Sequence, residues 1–178
     1  KGTGAMGFCQ PAAIGACLAS GKRPTVCIDG DGGFQLNIHE LETVKRLALP
    51  IKFFVMNNQG YASIRSSQRG YFKRLTGADT TSGLTLPDVV KVAEAYGLKT
   101  ARISSQENLR QQINQVLNMA GPVVCDVIII PDEVRAPRVS SMQQPHGSMV
   151  SKPLEDMWPY LPAEELKENM IAEKNANV

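Results

Sequence analysis

Residues 25–60 read TVCIDGDGGFQLNIHELETVKRLALPIKFFVMNNQG. The apolar run TVCI (25–28) leads into an acidic, glycine-rich turn at 29–33, and a helical pattern follows. A second apolar run, IKFFVM (51–56), ends on Asn57-Asn58-Gln59-Gly60. This is strand, turn, helix, strand, turn. A crossover helix between two strands makes them parallel and sets their carboxyl ends side by side, where open α/β sheets bind ligands. Asp31 and Asn58 are then expected to converge. A carboxylate, an amide oxygen and a backbone carbonyl suit a hard divalent cation with room left for phosphate oxygens.

Outward from this core the chain keeps alternating. Upstream, residues 1–8 form a glycine-rich loop, and Pro11 opens a helix of small residues to about Ser20. Inside the core stretch, Leu41, Val44 and Leu47 recur at helical spacing, with Glu40, Glu42, Lys45 and Arg46 on the wet face. Downstream, a short helix is expected over 61–68 and a mobile loop over 68–82. A helix DVVKVAEAYG then closes on Gly97. Residues 99–103 read as a strand, 106–119 as a helix and 122–130 as a β-branched strand. The pattern predicts an α/β fold, a doubly wound and mainly parallel sheet with helices on both faces. Beyond Pro131 the periodicity is lost, and only 163–173 reads as helix. Residues 1–130 are therefore expected to form the ligand-binding domain, and 131–178 an extension packing on that domain or on a partner.

Composition narrows the function. The 178 residues are 43% hydrophobic and 20% charged, enough for one domain with a sizeable core. A net charge of +2 gives no electrostatic case for nucleic acid. No stretch approaches the ~20 apolar residues of a membrane span. Cys9, Cys17, Cys27 and Cys125 lack CxxC spacing and read as buried free thiols, which places the protein in the cytoplasm. KGTGAMGF lacks an initiator Met, so a fragment of a longer chain, or one subunit of a split enzyme, is expected.

The turn and the asparagines carry the chemistry together. Gly30, Gly32 and Gly33 let the backbone approach a ligand and aim N–H groups at phosphate oxygens. The helix expected to begin near Phe34 offers its N-terminus to the same anion. Neither GxxxxGK[ST] nor GxGxxG is present, so the loop is not a Walker or dinucleotide-binding loop.

GDG followed by Asn-Asn resembles the cofactor signature of thiamine-diphosphate enzymes. GTGAMGFCQPAAIGA and the tail SSMQQPHGSMVSKPLEDMWPYLP resemble the acetolactate synthase branch of that family. The resemblance implies that Asp31, the Asn58 side chain and the Gly60 carbonyl hold Mg²⁺. It places Gly30, Gly32, Gly33, Tyr61 and Ala62 at the diphosphate, and Gly4 and Met6 at the aminopyrimidine. It further implies decarboxylation of a 2-oxo acid and transfer of the acyl-anion equivalent to a carbonyl acceptor, in a homodimer or homotetramer. In this family a glutamate on a separate pyrimidine-binding domain activates the cofactor, and this chain contains no such domain. No catalytic residue is therefore assigned, and the chain alone is expected to be inactive.

Other residues weigh on substrate choice. Acetolactate synthases usually carry a Trp near the position of Ser67, and the local sequence also resembles cyclic-dione hydrolases. A 2-oxo acid decarboxylase, a C–C hydrolase and a catalytically silent binding domain are the alternatives. His39 reads as structural, and His146 as a tail residue that either covers a site or is solvated. Arg65, Arg69, Lys73 and Arg74 read as a solvated basic face, with a substrate carboxylate as the other possible partner.

Overall fold

The computed structural model describes residues 4–134 and 136–170. The chain divides into two compact units, Lys1–Asp132 and Glu133–Val178.

In the first unit the strands are β1 (Thr25–Gly30), β2 (Ile51–Asn57), β3 (Lys99–Ile103) and β4 (Val123–Ile128). They form a parallel sheet in the order β1-β2-β4-β3. The alternation of side chains decides which face each residue serves. Ile51, Phe53 and Val55 of β2 join Cys27 and Val124 in one core. That core is closed by α1 (Cys9–Ala19), α3 (Glu40–Arg46) and α5 (Val89–Ala95). Phe54, Val123 and Cys125 face the other way, against Val116 and Ile113 of α6 (Leu109–Asn118). The fold is thus α/β with helices on both faces of the parallel sheet. Val26 and Ile28 point outward from β1 and stay 52% and 65% exposed. Among the described residues, β1 pairs on one side only, with β2.

Two local devices anchor the sheet. Asp88 caps α5, its carboxylate accepting the Lys91 N–H at 3.0 Å. Lys52 lies on β2 yet is buried, its ammonium donating to the carbonyls of Met119 and Gly121 and so closing the end of α6.

Three expectations change. The helix after the first turn does not begin near Phe34. It starts at Asp31 as the single turn α2 (Asp31–Phe34), passes through a 3-10 turn (Gln35–Asn37), and resumes at Glu40. Residues 68–82, expected as a loop, carry local structure. Helix α4 (Ala62–Phe72) runs through Phe72. Gln68 then exchanges two hydrogen bonds with the Thr76 backbone, at 3.0 and 2.8 Å, and Asp79 and Ser82 form a capping box. Finally, the aperiodic tail contains an antiparallel hairpin.

That hairpin pairs β5 (Ser141–Gln143) with β6 (Met149–Ser151) in the second unit. Helix α7 (Ala163–Asn169) follows, and the expected extension of this helix past residue 170 lies outside the described residues. Arg138 stacks over Trp158 at 5.2 Å and Lys152 over Tyr160 at 5.3 Å.

Candidate cofactor and metal site

Gly30 pairs with Met56 across β1 and β2. Asp31, one residue beyond β1, and Asn58, one beyond β2, therefore leave the same end of the sheet. Asp31 is 4% exposed and uses both carboxylate oxygens locally. Oδ1 accepts the Gly32 N–H at 2.9 Å, and Oδ2 accepts the Gly60 N–H at 3.0 Å. Burial pushes this carboxyl above its ordinary range, while the N–H groups of Gly60, Gly32 and Gln59 and the Arg65 charge pull it back.

The loop after β2 has its own constraints. Gln59 adopts a left-handed conformation, with φ 60°, and its N–H donates to Asn57 Oδ1 at 3.2 Å. Gly60 has φ 149° and bridges Asp79. A methyl group at Gly60 would strike the Ala78 carbonyl and lie 2.6 Å from Arg65 Nη1. Only glycine fits there.

The glycines of the first turn are equally confined. A methyl at Gly32 would enter the Tyr61 ring, with Met6 Cε also 3.5 Å away. A methyl at Gly33 would come 2.5 Å from Asp29 Oδ1. Tyr61 is oriented by Gln35, whose Nε2 donates to the phenol oxygen at 3.0 Å. The structure thus brings Met6, Gly32 and Tyr61 together, with Ala62 next in chain. Gly4, exposed and at φ 62°, lies two residues before Met6.

Sequence reasoning missed several supports. Asn37 donates to the Gly7 carbonyl at 2.8 Å, and Gln10 donates to the Phe34 carbonyl, so the 4–8 loop is tied to the first turn. Asn57 donates to buried Asp126 at 3.0 Å, and Arg102 holds the other oxygen of Asp126 at 3.0 Å. Asp29, beside the turn, keeps Oδ2 buried without a hydrogen-bond partner, and burial raises its carboxyl. Nearby, burial pushes the Cys27 thiol up to about 12, which makes it an inert core thiol. All four cysteines are free.

The basic cluster divides. Lys73 and Arg74 are exposed, and Arg69 pairs with Asp132 at 2.6 Å. Arg65 is not on a solvated face: it is 2% exposed and turned into the loop after β2. Its hydrogen bonds to that loop require burial there. Glu42 is exposed and Glu40 half-buried. His39 is exposed beside Glu40, at 3.7 Å, and His146 shares a 2.7 Å hydrogen bond with Ser148.

This geometry agrees with the comparisons. Residues 1–127 match the family model for the thiamine pyrophosphate enzyme C-terminal TPP binding domain, and the chain belongs to that family. It is similar to the acetolactate synthase large subunit of Cyanidium caldarium, 34% identical over 141 residues. That match covers 79% of this chain and 24% of the relative. Acetolactate synthase 2, chloroplastic, of Nicotiana tabacum is 36% identical over 145 residues, covering 79% and 22%. The acetolactate synthase isozyme 2 large subunit of Escherichia coli (strain K12) is 36% identical over 129 residues, covering 72% and 23%. The chain spans about a quarter of the length of these relatives.

Thiamine diphosphate, with Mg²⁺ as the usual metal, is the cofactor of this family. The residues present fit it. Among the described residues no three His, Cys, Asp or Glu side chains gather into a metal cage. A site with one carboxylate, one amide and one carbonyl would suit a hard divalent cation and would leave positions for diphosphate oxygens. Backbone N–H groups take up only part of the acceptor capacity of the Asp31 carboxylate, which has about four lone-pair sites. Among the described residues no helix is long and apolar enough to cross a membrane.

Proposed function

We propose that this chain is the diphosphate-binding part of an enzyme that decarboxylates a 2-oxo acid and ligates the acyl-anion equivalent to a carbonyl acceptor. The observation that supports the reading is the Gly60 N–H bond to Asp31 Oδ2 at 3.0 Å, which ties the loop after β2 to the turn after β1 at the same end of the sheet. Asp31, the Asn58 side chain and the Gly60 carbonyl would hold Mg²⁺. Gly30, Gly32, Gly33, Tyr61 and Ala62 would line the diphosphate, and Gly4 and Met6 the aminopyrimidine. When bound, thiamine diphosphate supplies the electron sink for decarboxylation. The residues of this chain bind and orient it, and the fixed dipoles of the turn and loop do so without reorganising.

The activating glutamate would come from a pyrimidine-binding domain, in the same polypeptide or a partner subunit, and the active enzyme would be at least a dimer. The chain alone would then bind cofactor and turn over no substrate. Residues 131–178 would serve as an extension of the cofactor domain. The four free thiols support a reducing compartment such as the cytoplasm. Ser67, exposed on α4 where acetolactate synthases usually carry Trp, favours a second reading as a decarboxylase or cyclic-dione hydrolase.

Product analysis on the complete protein with pyruvate, thiamine diphosphate and Mg²⁺ tests this. Acetolactate supports the carboligase, and acetaldehyde the decarboxylase. No product, together with no calorimetric binding of the cofactor, overturns both.

A further inference from the structure

Arg65 is the largest fully buried side chain among the described residues. A guanidinium out of water costs several kcal/mol unless its donors are matched, and an apolar side chain of the same volume would pack more cheaply. Its partners show what the charge does instead. The two N–H groups of Nη2 are shared among three acceptors, the Asn58 carbonyl and Asn58 Oδ1, both at 3.0 Å, and the Pro131 carbonyl at 2.5 Å. Nη1 reaches the Gln59 carbonyl at 3.4 Å. Nε lies 3.4 Å from Asp132, whose carboxylate is half in solvent.

Three of these acceptors belong to the loop after β2, and one is the side-chain oxygen that would meet the metal. An asparagine amide has an oxygen end and an NH₂ end of nearly equal shape, and only the oxygen can ligate a cation. A fixed donor at 3.0 Å selects the oxygen end and leaves that oxygen a second lone pair. We propose that Arg65 is the positioning residue of the metal site. It acts through Asn58, by setting the orientation of the amide, with Asp132, which it shares with Arg69, as its counter-ion. The proposal rests on the reading of Asp31, Asn58 and Gly60 as metal ligands.

The test uses the complete protein with thiamine diphosphate and Mn²⁺, bound metal being read by electron paramagnetic resonance. Arg65→Met should weaken Mn²⁺ binding on the order of 10- to 100-fold, as loss of an outer-shell partner does. Arg65→Lys, which keeps the charge and loses the fork, should not restore it. Asn58→Ala/Arg65→Met should bind no more weakly than Asn58→Ala alone, since residues acting through one another are not additive. Binding by Arg65→Met within twofold of the parent, full rescue by Lys, or multiplying losses in the double variant would each overturn the proposal. Asp31→Ala separates the two claims. If it too binds Mn²⁺ normally, the metal-site reading falls; if it alone loses binding, only the role of Arg65 falls. Should Arg65→Met fail to fold by circular dichroism, Asp132→Asn at the surface replaces it. It is expected to weaken binding about threefold, and unchanged binding would overturn the proposal.

Discussion

Asp31 Oδ2 accepts the backbone N–H of Gly60 at 3.0 Å, so the turn after β1 and the loop after β2 are tied by the side chain assigned to the metal. On the proposed reading, protonating that carboxyl would remove a metal ligand and weaken the tie. Because burial raises it, metal affinity is present above its folded-state pKa and is lost as pH falls through a window above the ordinary carboxylate range. Calorimetric titration of Mg²⁺ with thiamine diphosphate between pH 7 and 4 should show this fall. Asp31→Asn should bind at least about 100-fold more weakly at pH 7, beyond what an outer-shell loss gives.

Gly32 faces the Tyr61 ring with no room for a methyl group. Gly32→Ala should therefore displace the phenol, break its bond with Gln35, and lose most cofactor binding. The melting temperature should fall by roughly 2–4 °C for each kcal/mol of strain. Adding Tyr61→Ala should recover the stability without the binding. A single variant that binds and melts like the parent would show that the ring moves freely.

Asp29 carries a buried oxygen without a hydrogen-bond partner, and its carboxyl is raised in the fold. A raised acid binds its proton more tightly folded than unfolded, so its cost to stability grows as pH rises through the folded value. Asp29→Asn should raise the melting temperature at pH 7 by roughly 2–4 °C. The gain should vanish below about pH 4, where the carboxyl is protonated in both states. Thermal scans at the two pH values check both.

Asp126 is fully buried between Asn57 and Arg102, and Arg102 also reaches Asp88 at 3.1 Å. Arg102→Leu would leave that charge without its cation. The variant should unfold at a lower urea concentration, with a smaller loss than for a fully buried pair because Arg102 is half exposed. Arg102→Leu/Asp126→Asn should regain part of it. Equal losses in the single and double variants would mean that packing, not charge, governs the site.

The parallel sheet was legible because its signals are local. Apolar runs of strand length, glycine after acid and a helical repeat each sit within a few neighbouring residues. The position of the GDG turn and of Asn58 at the ends of neighbouring strands was legible for the same reason. Arg65 was not: its neighbours read RSSQRGYFKR, a basic surface by any local measure, while Pro131 and Asp132 lie more than sixty positions away. Asn37 and Gln10 were missed likewise, since their acceptors, Gly7 and Phe34, are distant in sequence. The order in residues 73–82 comes from side-chain bonds to backbone, which leave no periodicity to read.

The bare edge of β1 has a practical consequence. Its outer N–H and C=O groups find no strand among the described residues, and Val26 and Ile28 beside them are apolar and exposed. Such an edge is a template for another chain. With a net charge of only +2 to keep molecules apart, any preparation that leaves β1 uncovered should clump as concentration rises. A lysine at position 26 is then the first remedy for the biochemist at the bench.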